Sequence, residues 1–205
     1  VPEKFGGSGG GVVEIVALAE ALALGGVPTL FLVVTGLGSP NWDATNAGDH
    51  PLTFPLWGAM GGAATMGLGL ATAQPGKRVM VMTGDGEMLM AMGSFATIAT
   101  QRVENLAIIV FDNERYGETG MQATHTAGPV DMAAVAKACG FPVTATVKTE
   151  AELMAALPLI KETKGPVFVD IKVKAEPLPF ILPTKDGVHL KNRFREKLLG
   201  PDSLL

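Results

Sequence analysis

Short apolar runs alternate along this chain with segments whose apolar residues recur every three or four positions. Val12, Ile15, Val16, Ala19, Leu22 and Ala23 fall at helical spacing, and Gly25-Gly26 ends that stretch. Thr29–Thr35 (TLFLVVT), Val79–Thr83 (VMVMT) and Leu106–Phe111 (LAIIVF) are unbroken apolar or β-branched runs, the pattern of strands covered on both faces. Val143–Val147 and Pro166–Val173 (PVFVDIKV) read as two further strands. Between them lie predicted helices at Gly58–Ala73, which is punctuated by glycine, and at Met88–Gln101, which carries little charge. Asp131 caps another whose apolar face is Met132, Val135, Ala136 and Cys139, with Gly140 as its stop. Thr149 with Glu152 forms a capping box that opens the next helix, where Pro158 is expected to kink or shorten it.

Polar, Gly/Pro/Asn-rich stretches at Gly36–Thr53 and Asp112–Pro129 read as loops, and Gly84-Asp85-Gly86 as the turn after a strand. Strands alternating with helices predict one α/β domain: a single doubly wound parallel sheet with helices on both faces, over residues 12–205. Residues 1–11, with Gly6-Gly7-Ser8-Gly9-Gly10-Gly11, read as a flexible glycine-rich tail or linker. An extension from about residue 175 carries Pro177, Pro179 and Pro183 and then a short basic helix at Lys191–Leu199, expected to wrap the domain or a partner.

A length of 205 residues fits one such domain. With 16 Lys+Arg against 20 Asp+Glu, the net charge of −4 gives no electrostatic reason to bind nucleic acid or an anionic membrane. The longest weakly polar stretch, Ala59–Ala73, contains Gly61, Gly62, Gly67 and Gly69 and makes a poor spanning helix. The single cysteine, Cys139, excludes an intrachain disulfide framework, a zinc ribbon and a cysteine-held iron–sulfur cluster. Val1–Phe5 has no basic segment leading into an apolar block, so no leader is expected, and the expected compartment is the cytoplasm.

Ligands of open parallel sheets sit at the carboxyl ends of the strands. Two predicted strand ends carry oxygen ligands. Asp85 follows the VMVMT strand between two glycines, and the amides of Gly86 and Glu87 open the next helix as a diphosphate cradle. Asn113 follows the LAIIVF strand and lies 28 positions beyond Asp85, room for one helix and one strand. Adjacent parallel strands would bring the two side chains together. A hard cation such as Mg²⁺ takes oxygen ligands and accepts phosphate oxygens among them.

Gly84-Asp85-Gly86, an intervening helix and strand, and then Asp112-Asn113 resemble the thiamine diphosphate (ThDP) motif, GDG followed by NN. Asp112 stands where that motif has its first Asn; the family's ligand is the second, here Asn113. The resemblance implies Mg²⁺ held by Asp85, Asn113 and the backbone carbonyl of Arg115. It further implies diphosphate contacts at Gly84, Gly86, Glu87, Tyr116, Gly117 and Glu118. Gly58-Ala59-Met60-Gly61 resembles the segment that holds the aminopyrimidine: the Gly58 carbonyl would accept from the 4′-amino group, and Met60 would prop the cofactor into its bent form. That bend lets the 4′-nitrogen reach the thiazolium C2 proton, so that the ring can act as an electron sink for a 2-oxo acid.

The wider chain, from Val12 to Leu199, is similar to the C-terminal half, or separate β subunit, of sulfopyruvate and phosphonopyruvate decarboxylases. Met90-Ala91-Met92-Gly93, Thr119-Gly120-Met121-Gln122 and Ala136–Phe141 share in that likeness. Enzymes of this kind need a second, pyrimidine-binding domain whose glutamate protonates N1′. A single GDG site in about 200 residues leaves no room for it, so the resemblance implies a two-chain enzyme with at least two copies of each chain, the glutamate on the partner, acting on a small anionic 2-oxo acid; a processed fragment is the alternative. An acetolactate-synthase-type carboligase subunit and a non-catalytic Mg²⁺–phosphate module are the alternatives. A dinucleotide site is disfavoured, because Gly36-Leu37-Gly38 is followed by Asn41 rather than by the third glycine.

The remaining candidates have plainer readings beside the functional ones. His50 and Gln122 are weak catalytic candidates; a loop histidine and a flap residue without a role weigh against them. His125 shares the flap, and His189 reads as surface. For Glu87 the plainer reading is a helix N-terminal charge of which only the amide is needed. Met60 alone would be core. Arg193 and Arg195 could reach an anion, though a solvated terminal helix is the simpler reading.

Overall fold

The computed structural model describes residues 31–176 and 182–204. The expected N-terminal tail, the Val12–Leu24 helix, the start of the first strand, Pro177 and Pro179 lie outside the described residues.

The apolar runs become strands of one parallel sheet. In chain order these are β1 (Leu32–Thr35), β2 (Thr53–Pro55), β3 (Val79–Gly84), β4 (Leu106–Asp112), β7 (Val143–Val147) and β8 (Val167–Lys172), arranged β2-β1-β3-β4-β8-β7. Every pairing is parallel. All seven residues of β4, at the middle of the sheet, are buried, which is why its sequence shows no polar alternation.

Alternate residues feed two cores. On one face Leu32, Val79, Val81, Ile108, Val110 and Phe168 lie under α2 (Gly62–Ala73), α4 (Ser94–Gln101) and α5 (Met132–Cys139). Phe95, Phe141 and Phe168 meet there edge to face, with centroids 5.0–6.2 Å apart. On the other face Met80, Met82, Ile109, Val169 and Ile171 pack against Leu153, Ala156, Leu157 and Ile160 of α6 (Glu150–Glu162). Gly67 sets the closeness of α2 to the sheet: a Cβ there would lie 2.2 Å from Cγ2 of Val81. The expected doubly wound parallel sheet is the observed fold.

Several elements differ from expectation. The loop at 36–53 contains α1 (Ser39–Asn46), whose buried residues are Pro40, Asn41 and Asp43. A helix that buries polar groups has no apolar stripe for a sequence pattern to show. The helix expected at Gly58 begins at Gly62, after a turn in which Ala59 (φ 58°) and Gly61 (φ 92°) are left-handed. Gly84-Asp85-Gly86 is not a free turn: Gly84 ends β3, and Asp85 begins the six-residue helix α3 (Asp85–Met90). The single helix expected at Met88–Gln101 is therefore two, α3 and α4, broken at residues 91–93. The long loop after β4 folds back on itself as a two-stranded antiparallel ribbon, β5 (Arg115–Tyr116) with β6 (Gln122–Ala123). Asp131 caps α5 through its carboxylate, Gly140 is left-handed at its end, and the Thr149–Glu152 capping box is formed. Pro158 lies inside α6 and the helix continues to Glu162, so the expected shortening does not occur.

The tail does wrap the domain. Helix α7 (Gly187–Leu199) sets Phe194 edge-on to Phe54 of β2, with centroids 5.7 Å apart. Arg193 is not solvated: its fork binds Asp49 through Nη1 at 2.6 Å and Nη2 at 2.7 Å. Nη2 of Arg195 donates to the Ser203 carbonyl.

Candidate cofactor site

Register places the two expected strand ends side by side. Gly84 of β3 pairs with Phe111 of β4, so Asp85 and the Asp112-Asn113 pair leave the sheet together. Asp85 is 2% exposed. Burial pushes its carboxyl up to about 6, the Asp112 charge adds to the rise, and a hydrogen bond from Thr124 opposes it. Thr124 donates to Oδ2 of Asp85 at 2.5 Å.

Asn113 turns its Oδ1 back to accept from the Arg115 amide at 2.9 Å, closing an Asx turn around Glu114 (φ 60°). An amide oxygen has a second lone pair, so this bond leaves Asn113 an acceptor. Arg115 lies on β5, opposite Ala123. The donors present (carboxylate, amide oxygen, backbone carbonyl) are the hard oxygens that suit Mg²⁺ together with a diphosphate. Among the described residues no three His, Cys, Asp or Glu side chains converge as a metal cluster, and the expected ligand set contains a single carboxylate.

The glycines around this point leave room. Cβ atoms added at Gly58 or Gly84 would meet nothing within 4 Å. One added at Gly86 would strike the Tyr116 ring at 2.5 Å, so the tyrosine lies on the first turn of α3. Gly117 and Glu118 continue the ribbon as a short 3-10 turn, and Glu118 Oε1 reaches within 3.6 Å of where a Gly38 Cβ would be. Met60 is 39% exposed beside the left-handed Ala59, so it is not a core methionine. A non-glycine residue held left-handed stores strain, commonly at a functional segment.

Glu87 has a side-chain role that its sequence position did not show. It lies in the first turn of α3, and its side chain is 2% exposed and turned into the fold. Oε2 accepts from the Leu37 amide at 3.0 Å and Oε1 from the Ala63 amide at 3.2 Å. Burial raises its pKa. The carboxylate thus ties the loop after β1 to the start of α2, the helix that follows the Gly58–Met60 segment. Gly36 is what admits it, since a Cβ there would sit 1.8 Å from Oε2.

The weaker candidates are placed by the same hydrogen bonds. Gln122 donates to the Thr119 carbonyl at 2.8 Å and accepts from the Thr119 hydroxyl at 2.9 Å, so its amide closes the ribbon turn. His50 Nδ1 accepts from the Leu52 amide at 3.1 Å, a local turn contact. His125 lines an open cavity of about 220 Å³ with Leu89, Met90, Met92, Tyr116 and Val130.

Three functional-site neighbours escaped sequence reasoning. Thr126 donates to Oδ1 of Asp112 at 2.8 Å and lies 2.9 Å from the Thr124 hydroxyl. Lys172, at the end of β8, lies 2.5 Å from Oδ2 of Asp112. The signal for Lys172 was a charge at the end of a buried strand, legible once β8 is known to pair with β4 (Asp112 opposite Lys172). Thr124 and Thr126 gave no local signal, because their partner Asp85 is 39 and 41 residues away. A second polar cavity, of about 260 Å³, opens beside Asp170, Lys172 and Glu114. Asp170 is 2% exposed and burial pushes its carboxyl up to about 7, with the Asp112 charge adding to the rise.

A carboxylate and an amide leave neighbouring parallel strands beside open glycine backbone, at the carboxyl edge where open α/β sheets take their ligands. The sequence profile of the thiamine pyrophosphate enzyme family, C-terminal TPP binding domain, matches residues 39–171, and the chain belongs to that family. It is 36% identical to the sulfopyruvate decarboxylase subunit beta of Methanothermobacter thermautotrophicus over 169 residues, which cover 82% of this chain and 88% of that one. It is 34% identical to the phosphonopyruvate decarboxylase of Streptomyces hygroscopicus over 199 residues, 97% of this chain and 49% of the relative. The chain thus spans about half the length of that relative. A solved chain from Mycobacterium smegmatis assigned to the thiamin diphosphate-dependent enzymes superposes with a TM-score of 0.66 at 22% identity, over 78% of this chain and 32% of that one, and shares the fold.

Proposed function

We propose that this chain is the diphosphate- and Mg²⁺-binding subunit of a two-chain ThDP-dependent decarboxylase of small anionic 2-oxo acids, of the sulfopyruvate or phosphonopyruvate class. The observation that carries the reading is the exit of Asp85 and Asn113 from adjacent parallel strands, with open backbone at Gly84 beside them. Asp85, Asn113 and the Arg115 carbonyl would hold the cation. Gly84, Gly86 and Glu87 would meet the diphosphate through backbone, with Tyr116, Gly117 and Glu118 over it. Gly58, Ala59 and Met60 would seat the aminopyrimidine.

When bound, ThDP supplies the electron sink that decarboxylation of a 2-oxo acid needs. This chain's residues would bind and orient: Glu87 fixes the spacing between the β1 loop and α2, and the ribbon would shield the diphosphate from water. Protonation of N1′ would fall to a glutamate of the partner chain. Exposed methionines support a partner at this face: Met60, Met90 (59% exposed) and Met121 (41%) border the site. Gly61, next to Met60, lies against the backbone of Met90, and Met121 donates its amide to Tyr116. Relatives named as beta subunits support the same arrangement. No helix among the described residues is long and apolar enough to cross a membrane.

The test is CO₂ release from 3-sulfopyruvate, 3-phosphonopyruvate and pyruvate by this chain reconstituted with a pyrimidine-domain chain, ThDP and Mg²⁺. Turnover of a 3-substituted acid above pyruvate, lost in Asp85→Ala, is the expected result. Coupling of two pyruvates without turnover of the substituted acids would instead indicate a carboligase. ThDP binding that Asp85→Ala leaves unchanged would reject the site itself.

A further inference from the structure

The chain departs from the resembled motif at one position, Asp112 in place of Asn, and the structure supplies a physical counterpart for that change. Asp112 has a fully buried side chain at the end of β4. Lys172 is its register partner on β8, with Nζ 2.5 Å from Oδ2. Oδ1 accepts from the Glu114 amide at 2.9 Å and from the Thr126 hydroxyl at 2.8 Å, so both oxygens of Asp112 are fixed. The Thr126 hydroxyl lies 2.9 Å from that of Thr124 and 3.4 Å from Oδ2 of Asp85. Thr124 closes the chain by donating to that same Oδ2 at 2.5 Å. Each hydroxyl has one proton, which Thr126 gives to Asp112 and Thr124 gives to Asp85, so the two threonine oxygens meet by contact, and two hydrogen-bonded pairs packed against each other link an ammonium at one strand end to the expected metal carboxylate two strands away.

An asparagine at position 112 could accept from Thr126 but would turn its NH₂ toward the lysine. A carboxylate there without Lys172 would be a buried, uncompensated charge beside Asp85. The two residues make sense as a pair. Lys172 reaches no other carboxylate as closely: Glu114 is 3.6 Å away and Asp170 3.7 Å.

We propose that Lys172 is a positioning residue for the cation site, orienting Asp85 through Asp112, Thr126 and Thr124. The inference rests on the reading of Asp85 as a cation ligand. It assigns the Lys172–Asp112 pair as a unit that replaces a neutral amide. Partners that orient a metal ligand typically change metal affinity by about 10- to 100-fold when removed.

The test measures the Mg²⁺ concentration that half-saturates ThDP binding to the full chain by calorimetry, alongside the melting temperature of the ligand-free protein. Asp85→Asn is read first. If it leaves the Mg²⁺ requirement unchanged, the cation reading fails and this inference falls with it. If it abolishes Mg²⁺-dependent binding or raises the Mg²⁺ needed, the cation reading stands and the remaining variants bear on Lys172 alone. Lys172→Met is expected to raise the half-saturating Mg²⁺ about tenfold or more, and Lys172→Arg to recover most of that loss. The double variant Lys172→Met/Asp112→Asn is expected to recover both Mg²⁺ affinity and melting temperature, since asparagine keeps the acceptor for Thr126 and carries no charge. Should Lys172→Met not fold, Thr126→Val against Thr126→Ser decides: only the valine, which lacks the hydroxyl, should weaken Mg²⁺. A lower melting temperature with unchanged Mg²⁺ dependence would overturn the proposal, leaving the pair merely structural. So would a double variant as weak for Mg²⁺ as Lys172→Met.

Discussion

Asp170→Asn removes one buried charge without changing shape. Asp170 is 2% exposed, and among the described residues its Oδ1 has no hydrogen-bond partner. Burial first, then the Asp112 charge, move its carboxyl from 3.8 to about 7, against the pull of Lys172. A rise of about three units at 1.36 kcal/mol each is about 4 kcal/mol between the two protonation states. The folded pKa lies above the unfolded one. The associated stability is therefore full below about pH 4 and lost as pH rises through about 7, where the folded chain must carry the charge. Of the total, about 3 kcal/mol falls between pH 5 and pH 8.5. Asparagine cannot ionise, so the variant escapes that loss; forgoing the 3.7 Å contact to Lys172 offsets about 1 kcal/mol or less at either pH. Asp43 is present in both proteins and cancels in the difference, whereas Asp85, Asp112 and Lys172 feel the Asp170 charge and contribute a smaller change of their own. The assay is urea unfolding of wild type and variant at pH 5 and 8.5, with equal m-values required. The variant's stability relative to wild type should improve by about 3 kcal/mol between the two pH values. A difference that does not move with pH, or a variant less stable than wild type at pH 8.5, would refute the reasoning.

Three further outcomes follow from other positions. Glu87→Ala strands the Leu37 and Ala63 amides and should lower stability by about 3–5 kcal/mol in chemical denaturation, against about 2 or less for Glu87→Gln; an alanine cost under about 1 kcal/mol would show that the carboxylate does not hold those loops. In helix α2, Gly67→Ala pushes a methyl to 2.2 Å from Val81 and should cost about 2–4 kcal/mol, whereas Gly69→Ala, with nothing within 4 Å, should gain up to about 1; equal effects would contradict the packing described. A protonated carboxyl cannot ligate a cation, so Mg²⁺-dependent ThDP affinity should weaken as pH falls through about 6 and level off above it; calorimetry giving a flat profile from pH 5 to 8 would contradict the raised carboxyl of Asp85.

Much of the fold was legible because the strands are buried on both faces. Continuous runs such as Leu106–Phe111 have few other uses, and capping residues such as Asp131 and Thr149 act on neighbours three positions away. Helix α1 was not legible, since SPNWDATN buries Asn41 and Asp43 rather than an apolar stripe. Splitting of the Met88–Gln101 segment was hidden for the opposite reason: it is apolar on both sides of the break at residues 91–93, where Ala91 lies close against Gly61. In the site, Asp85 and Asn113 could be placed because each follows a strand and the strands are neighbours. The side-chain role of Glu87 could not, because its partners Leu37 and Ala63 are 50 and 24 residues away. Thr124 and Thr126 were hidden in the same way, behind a ribbon whose two-residue strands are too short to show a pattern.

The central claim is that Asp85 and Asn113 together hold the cation that anchors a diphosphate. A crystal structure of the chain with ThDP and Mg²⁺ tests it most directly. The account predicts a metal about 2.1 Å from an Asp85 carboxylate oxygen, the Asn113 Oδ1 and the Arg115 carbonyl, with phosphate oxygens completing an octahedron above Gly84. A diphosphate bound away from the β3–β4 edge, or a metal that touches neither Asp85 nor Asn113, would contradict it.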